Sequence, residues 1–505
     1  MSSTNAAFIG LDVGTTAVKG VLVLADGSEI VEYQCEYSVI SPHQNWYEQE
    51  PEAWWDGTKS VLVRIVDWIS QCPDRIEVKA LSVAGQMHSS VFLDKDNQVV
   101  RPAILWNDSR TSLQCNEITD RIGIDGLRDS VGNLVLEGFT APKILWLLQN
   151  EPLNYERTRK IIMPKDYVRF RLTGQIATDP SDAAGTVLYD VKNSCWSKRV
   201  ISQLGFDLDL FPTVIPSEEV AGVVCTEGFR DTLIPEGTPV ICGGADNPMG
   251  AIGSGVVNPG SMQSSIGTSG TILAPTNTPY IEDDMRLHTF CHCIADTWYL
   301  MGTILSAGNS LKWLKSVISP SDSYDRMVTR AERVTPGSEG LVFLPYLSGE
   351  RTPHNDPYAR GAFVGLNLSH GADHLIRAVL EGVCFALRDS VELIERLGVS
   401  CESLVAIGAG GQNRFWRKLQ ADIFDMPVYV TNRMGGPAYG AAMVAAVGAG
   451  IFDDPQEVIQ EWIVPSDMVE PIRNNVLIYD DLYASFQGTY PSLKDTFTRL
   501  SQSQK

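Results

Sequence analysis

The chain has 505 residues, enough for two or three domains with sizeable cores. Hydrophobic residues make up 44% and charged residues 20%, which excludes a disordered or collagen-like chain. The 40 Lys and Arg against 61 Asp and Glu give a net charge of -21, which argues against nucleic acid as a partner. The sequence shows neither a signal peptide nor a membrane-spanning stretch, so we expect a cytoplasmic protein with no membrane partner.

The first predicted element is a β-hairpin over residues 8–24, in which two apolar runs flank Gly14-Thr15-Thr16. The N–H groups and hydroxyls of such a turn suit phosphate oxygens. Asp12 lies two residues before the turn, where its carboxylate would hold Mg²⁺ through water. An ordinary surface turn is the alternative, because glycine and threonine are common in turns.

Two segments further along carry candidate sugar ligands. A helix is predicted over residues 51–70, and an apolar strand over 79–85 ends just before Met87 and His88. Trp106 begins the segment WNDSR, whose aromatic and polar groups suit the apolar face and the hydroxyls of a sugar. The alternatives are a loop histidine and a surface turn without a ligand.

A second apolar strand, over residues 238–245, leads directly into Asp246. Ligands of α/β sheets favour the carboxyl ends of strands, and the following Asn247 and Pro248 indicate that a helix begins there. A carboxylate in this position is a candidate general base for a sugar hydroxyl. The alternative is an aspartate that only caps the helix.

The segment over residues 260–274 repeats the hairpin pattern of the N-terminus. Its turn begins Gly267-Thr268-Ser269 and lies half the chain away from Gly14. Two such turns facing each other would hold both ends of a triphosphate. The repeat indicates a duplicated domain.

Both halves alternate apolar strands with amphipathic helices, the latter including residues 375–397 and 412–424. This alternation is typical of the α/β class. We predict two domains around a cleft. The first covers residues 1–255 and the second residues 256–505.

A glycine turn containing Gly410 and Gly411, followed by Asn413, separates a predicted strand from a helix in the second half. Such a turn lets a nucleotide approach the backbone. The dinucleotide-binding fingerprint is incomplete here, and the P-loop sequence Gly-x4-Gly-Lys-Ser/Thr is absent from the chain. The glycine turn alone therefore leaves the nucleotide-binding fold open.

Two longer motifs resemble the signatures of the FGGY carbohydrate kinases, within the actin–hexokinase superfamily. They are GFTAPKILW at residues 138–146, and GAFVGL followed by HLIRAVLE within residues 361–381. The resemblance extends over nearly the whole chain. It implies two duplicated actin/hexokinase-like (ribonuclease H-like) domains around a central cleft, the first binding sugar and the second binding ATP.

Further segments resemble the branch of this family that phosphorylates D-xylulose at its terminal hydroxyl. They include WYEQ at 46–49, PKDY at 164–167 and LPYLSGERTPHND at 344–356. The resemblance implies the following roles for residues of this chain. Asp246 is the catalytic base; Met87, His88, Trp106, Asp246 and Asn247 bind the sugar; Gly14, Thr15, Thr16, Gly267, Thr268, Ser269, Gly308, Gly410, Gly411 and Asn413 bind ATP; and Asp12 places Mg²⁺.

Two residues depart from the family pattern, Ser89 in place of glycine after the GQMH run and Ala17 in place of a frequent serine. They bear on the choice of sugar and not on the reaction. The alternatives are a kinase of ribulose, L-xylulose, gluconate, glycerol or a tetritol, a sugar sensor without activity, and an actin-like protein switched by nucleotide. The oligomeric state is open, a homodimer included.

Overall fold

The computed structural model describes residues 5–432 and 436–502. The strands of the first half are β1 (Asn5–Val13), β2 (Ala17–Leu24), β3 (Glu29–Glu36), β4 (Glu48–Gln49), β5 (Ile76–Gly85), β6 (Val91–Leu93), β7 (Ala103–Ile104), β8 (Lys160–Ile162), β9 (Tyr189–Asp190), β10 (Cys195–Trp196), β11 (Val220–Val223) and β12 (Pro239–Ala245). Its helices are α1 (Pro51–Gln71), α2 (Ser112–Ile122), α3 (Ile124–Ser130), α4 (Thr140–Asn150), α5 (Pro152–Arg157), α6 (Pro164–Thr173), α7 (Pro180–Ala184), α8 (Lys198–Leu204), α9 (Thr226–Thr232) and α10 (Asp246–Gly253), with a 3₁₀ turn at Leu208–Leu210.

The second half contains the remaining elements. Its strands are β13 (Gly260–Ile266), β14 (Gly270–Thr276), β15 (His288–Cys291), β16 (Trp298–Ile304), β17 (Val342–Leu344), β18 (Ala362–Val364), β19 (Cys401–Ile407), β20 (Val428–Thr431) and β21 (Pro465–Val469). Its helices are α11 (Gly308–Ile318), α12 (Tyr324–Glu332), α13 (Ala372–Arg396), α14 (Gly408–Gln412), α15 (Arg414–Phe424), α16 (Pro437–Gly448), α17 (Pro455–Trp462) and α18 (Arg473–Gln502), with a 3₁₀ turn at Ser338–Gly340.

The two large sheets have the same topology. The first has the order β3-β2-β1-β5-β12-β11, in which β1, β5 and β12 are parallel and the other neighbours are antiparallel. The second, β16-β14-β13-β19-β20-β21, repeats each of these pairings in the same sequence, and β15 adds one strand beyond β16. The predicted duplication of an α/β domain is confirmed, and the boundary after residue 255 stays a prediction.

The halves are joined by packing as well as by the chain. Helix α16 belongs to the second half, but it packs against α10 and against β1 and β5 of the first sheet. A Cβ on Gly440 would lie 1.9 Å from the carbonyl oxygen of Met249, so only glycine allows α16 to approach α10 this closely. The first sheet therefore rests on an element from the other half.

Both predicted hairpins form, as β1–β2 and β13–β14. The helix predicted over 51–70 is α1, and it buries Trp54, Val61 and Ile65. The helix predicted over 412–424 is divided, because Asn413 lies between α14 and α15 in extended conformation. Across the ranges that the structure describes, no helix is long and apolar enough to cross a bilayer.

Candidate active site

Three parallel strands bring the candidate residues to one edge of the first sheet. Val13 of β1 and Ala245 of β12 both pair with Gly85 of β5, so the three strands end level with one another. The chain then continues into the first hairpin turn, the loop that carries His88, and Asp246 at the start of α10. Segments far apart in sequence therefore meet where α/β sheets bind their ligands.

A cavity of about 210 Å³ opens between the two halves at this edge, and all five candidate sugar ligands line it. They are Met87, His88, Trp106, Asp246 and Asn247. The other lining residues are Gly138, Phe139, Ser269, Thr271, Met301, Thr303 and Arg351. The volume lies below the ~300–1,000 Å³ of clefts for drug-sized ligands, which fits a small acceptor. We call this space the acceptor cavity.

His88 is held as a neutral imidazole. Its Nδ1 lies 2.6 Å from the carbonyl oxygen of Gly185, and because a carbonyl only accepts, Nδ1 carries the proton. Burial lowers the pKa of His88 to about 3, so the ring stays neutral at physiological pH. Nε2 is then a hydrogen-bond acceptor, the function that a sugar hydroxyl needs.

The motif at residues 138–146 supports the backbone of His88, whose φ of 68° is uncommon for a residue with a side chain. Oγ1 of Thr140 and Nζ of Lys143 donate to the His88 carbonyl oxygen at 3.1 and 2.9 Å. Nζ also donates to the carbonyl oxygen of Gly138, and burial lowers the pKa of Lys143 to about 7. Thr140 and Lys143 therefore fix the position of a cavity residue from behind it.

Ser89, the departure from the family pattern, connects two cavity loops. Its hydroxyl donates to Oε1 of Gln86 at 3.1 Å and accepts from the N–H of Trp106 at 3.1 Å. The indole N–H of Trp106 in turn donates to Oγ1 of Thr15 at 2.9 Å. The serine is buried and does not line the acceptor cavity, so it orients Trp106 without narrowing the space for a sugar.

Two carboxylates lie close enough for their charges to interact. Oδ1 of Asp246 accepts from the backbone and side-chain amides of Asn247 at 2.8 and 3.0 Å. Burial, and then the charge of Asp12, raises the pKa of Asp246 to about 7. Burial likewise raises the pKa of Asp12 to about 6, against the opposing charge of Lys19. A carboxylate with a pKa near neutrality is suited to accept a proton at physiological pH.

A second cavity, of about 410 Å³, adjoins the acceptor cavity at the tip of the second hairpin. Gly267 and Thr268 line it, whereas Ser269 and Thr271 line the acceptor cavity. Its other lining residues are Gly308, Asn309, Leu311, Lys312, Tyr324, Asp325, Val328, Ala409, Gln412, Asn413 and Trp416. We call it the nucleotide cavity. The tip of the second hairpin lies between it and the acceptor cavity, so a phosphoryl group bound at this tip would be within reach of both.

Gly308 brings the first turn of α11 against this hairpin. Its N–H donates to the carbonyl oxygen of Gly267 at 2.8 Å, and the N–H groups of Ala307 and Asn309 donate to that of Thr268. A Cβ on Gly308 would lie 2.4 Å from the Gly267 oxygen, so another residue would push the helix away. The first turn of the 11-residue helix α11 thus borders the nucleotide cavity, with its leading N–H groups bonded to the hairpin.

Asn413 lines the nucleotide cavity, but the adjacent Gly410 and Gly411 do not. Both glycines are buried, where they pack against Ile266 and Ala406. The side chain of Asn413 accepts from the N–H of Trp416 and so also begins helix α15. The proposed contact of the two glycines with ATP stays a prediction.

Gly14, Thr15 and Thr16 form the turn after β1, but none of them lines either cavity in the described residues. The hydroxyl of Thr15 is already bonded to Trp106, and Tyr37 donates to the carbonyl oxygen of Gly14 at 2.5 Å. The turn is therefore anchored to the sugar side of the site. Its contact with phosphate stays a prediction.

Sequence reasoning missed several residues of the acceptor cavity. Thr271 lies on β14, two residues beyond Ser269 of the turn, so the second hairpin itself was the signal. Phe139 and Arg351 lie inside segments that carry the family resemblance, so the motifs themselves were the signal. No local pattern indicated Met301 or Thr303.

Family models match both halves of the chain. The N-terminal domain of the FGGY family of carbohydrate kinases matches residues 7–253, and the C-terminal domain of the same family matches residues 262–449. The chain belongs to the FGGY family of carbohydrate kinases. The predicted two-domain actin/hexokinase-like fold is confirmed, and the protein is a sugar kinase with ATP as its co-substrate.

Relatives of known function match almost end to end. A xylulose kinase of Bacillus subtilis is 40% identical over 497 residues, which covers 98% of this chain and 99% of that protein. The structure of a ligand-bound xylulose kinase from Lactobacillus acidophilus has a TM-score of 0.93 at 25% identity and covers 98% of this chain and 100% of that one. A gluconate kinase structure from the same organism matches with the same TM-score, identity and coverage. The fold therefore does not distinguish a xylulose kinase from a gluconate kinase.

Proposed function

We propose that this FGGY kinase transfers the γ-phosphoryl group of ATP to the terminal hydroxyl of D-xylulose, giving D-xylulose 5-phosphate. The observation that carries the proposal is the acceptor cavity, where the five candidate sugar ligands meet beside the nucleotide cavity. The 40% identity to a xylulose kinase supports the choice of D-xylulose as the acceptor.

Asp246 acts as the general base. The proton of the terminal hydroxyl passes to its carboxylate while the hydroxyl oxygen forms a bond to the γ-phosphorus. The bond between that phosphorus and the β,γ-bridging oxygen breaks, and ADP leaves with the electron pair. A positioned base of this kind contributes about 10²–10⁴-fold to the rate.

The sugar is positioned by groups of complementary hydrogen-bonding type. Nε2 of His88 accepts from one hydroxyl, and Oδ1 of Asn247 is a further acceptor, since the amide nitrogen of Asn247 already donates to Asp246 and Met87. The ring of Trp106, 38% exposed, provides an apolar surface at the mouth of the cavity. These groups would hold the acceptor with its terminal oxygen beside Asp246.

Asp12 is proposed to hold Mg²⁺. Its Oδ1 is buried without a hydrogen-bond partner in the described residues, and a hard cation prefers such an oxygen ligand. When bound, Mg²⁺ neutralises charge on the phosphates during transfer. The described residues contain no group of three or more His, Cys, Asp or Glu that would hold a metal, and we propose that water and ATP supply further ligands.

The proposal is tested by coupled measurement of ADP release with a panel of acceptors. D-xylulose, D-ribulose, L-xylulose, gluconate, glycerol and erythritol are compared at saturating ATP and Mg²⁺. We expect the highest kcat/KM for D-xylulose. A higher value for another acceptor would overturn the choice of substrate, and ATP turnover that no acceptor stimulates would favour an actin-like protein switched by nucleotide.

A cytoplasmic location and the homodimer stay proposals of the same kind. Sedimentation velocity would distinguish a single 505-residue chain from a dimer, with and without ATP and sugar. Fractionation of cells would show whether the kinase is found with cytoplasmic proteins.

A further inference from the structure

Arg351 brings an unpaired guanidinium into the acceptor cavity. It lies in the segment over residues 344–356 and lines the cavity together with His88 and Asp246. Within the described residues, its side chain donates no hydrogen bond and forms no ion pair, although the charges of Glu137 and Glu350 act on it. A half-buried guanidinium that lines a cavity and has no partner in the protein is available to donate hydrogen bonds to a ligand bound there.

The guanidinium lies beside the segment that carries Gly138 and Phe139. A Cβ on Gly138 would be 3.5 Å from its Nη2, and the next residue, Phe139, packs edge-on against His88 with ring centroids 4.6 Å apart. The positive charge of Arg351 helps to lower the pKa of His88 and of the neighbouring His288, whereas the charge that raises the pKa of Asp246 is that of Asp12. Arg351 is therefore near enough to His88 for its charge to act on that ring.

The backbone that carries Arg351 is fixed on both sides. A carboxylate oxygen of Glu350 accepts from the Arg351 N–H at 2.8 Å and from the Leu305 N–H at 2.9 Å. The N–H of Thr352 donates to the carbonyl oxygen of Thr303 at 3.0 Å, and its hydroxyl accepts from the Thr303 N–H at 3.1 Å. The segment is thus hydrogen-bonded to β16, so its backbone is already ordered before a ligand binds.

We propose that Arg351 determines the acceptor class, by donating hydrogen bonds to the C2 carbonyl oxygen of an open-chain ketose whose other end lies at Asp246. The inference rests on the proposed function and names the group of the sugar that this residue recognises. A guanidinium only donates and a carbonyl oxygen only accepts, so the two are fully complementary. An alditol instead presents a C2 hydroxyl. Its oxygen can accept from Arg351, but its proton also needs an acceptor, which the positively charged guanidinium does not provide.

The test compares D-xylulose with xylitol and D-arabitol, which differ from it only in carrying a hydroxyl at C2. Calorimetry gives the Kd of all three for the wild type and for Arg351→Met, Arg351→Lys and the control Arg396→Met. Arg396 is exposed, and in the part of the chain that the structure describes its one ion pair is with Glu392 on its own helix. The kcat/KM for D-xylulose and the KM for ATP are measured on the same proteins.

We expect Arg351→Met to weaken D-xylulose binding by about 10- to 100-fold, as for other lost hydrogen bonds to charged groups, and alditol binding by less than about 3-fold. Arg351→Lys should give an intermediate ratio, and Arg396→Met and the KM for ATP should not change. Equal losses for all three ligands, or no loss for D-xylulose, would overturn the inference. If Arg351→Met does not fold, the ratio from Arg351→Lys decides.

The proposed function fails separately from this inference. It fails if wild-type kcat/KM is higher for gluconate or for another acceptor of the panel. The role of Arg351 fails if wild-type kcat/KM favours D-xylulose but the ratio of ketose to alditol affinity is the same in both variants as in the wild type.

Discussion

Asp246→Asn is expected to lower activity and to raise stability at the same time. The substitution keeps the size of the side chain but cannot accept the hydroxyl proton, so kcat should fall by at least about 100-fold, or ~3 kcal/mol. The pKa of Asp246 is about 7 in the folded state, above its usual value of 3.8. As the pH rises from about 4 to 7, this carboxyl ionises more readily in the unfolded chain than in the folded one, so the wild type loses stability. The full pKa shift corresponds to ~4 kcal/mol. Because Asp246 is partly exposed, we expect Asp246→Asn to raise the free energy of unfolding by roughly half of this above pH 7.

Steady-state kinetics and thermal unfolding at pH 5 and pH 8 test both parts. The Tm of ligand-free Asp246→Asn should exceed that of the wild type at pH 8 and match it more closely at pH 5. Wild-type kcat/KM should fall as the pH decreases through the pKa of the base, and this limb should be missing in the variant. Near wild-type kcat in a folded variant would refute the base, and a lower Tm at pH 8 would refute the electrostatic argument.

Three further substitutions test other parts of the site. Asp12→Asn should lower kcat and move half-maximal activation to a higher Mg²⁺ concentration; an unchanged Mg²⁺ titration would remove Asp12 from the metal site. His88→Ala should raise the KM for D-xylulose by about 10-fold or more while the KM for ATP stays within about 2-fold, because only a sugar hydroxyl loses its acceptor. Lys143→Met frees the backbone of His88, so it should also raise the KM for D-xylulose and lower the Tm; a change in Tm without a change in KM would limit Lys143 to a structural role.

The fold followed from features that are local in sequence. The apolar runs around Gly14 and Gly267 predicted both hairpins, and their repetition predicted the duplication. The short apolar runs that end at Gly85 and Ala245 are parallel strands of one sheet. Such predictions succeed because a buried parallel strand needs a continuous apolar run, whatever lies beside it.

The site residues that closely follow a strand were predictable from the sequence. Residues whose role depends on tertiary contacts were less so. Met87, His88 and Asp246 were found because they stand at strand ends. Gly410 and Gly411 were predicted to let a nucleotide approach the backbone, and the structure shows that their lack of a side chain also allows packing against β13 and β19. Nothing local shows which of two functions a glycine has.

The connection between Ser89 and Trp106 also could not be read from the sequence. The serine accepts from a backbone N–H 17 positions away and donates to Gln86, so its role exists only once β5 and the Trp106 loop are in place. For the same reason, the sequence does not show that Arg351 lacks an ion pair. This becomes apparent only once the structure gives the positions of Glu137 and Glu350.

Transfer to the C5 hydroxyl is examined through the product of a single reaction. The protein is incubated with D-xylulose, ATP and Mg²⁺, and the sugar phosphate is analysed by two-dimensional ¹H–³¹P correlation NMR, which assigns the protons coupled to the phosphorus. We expect one phosphomonoester coupled to the two C5 protons, formed in equal amount with ADP. A phosphate coupled to the C1 protons, or ADP formed without any sugar phosphate, would contradict it.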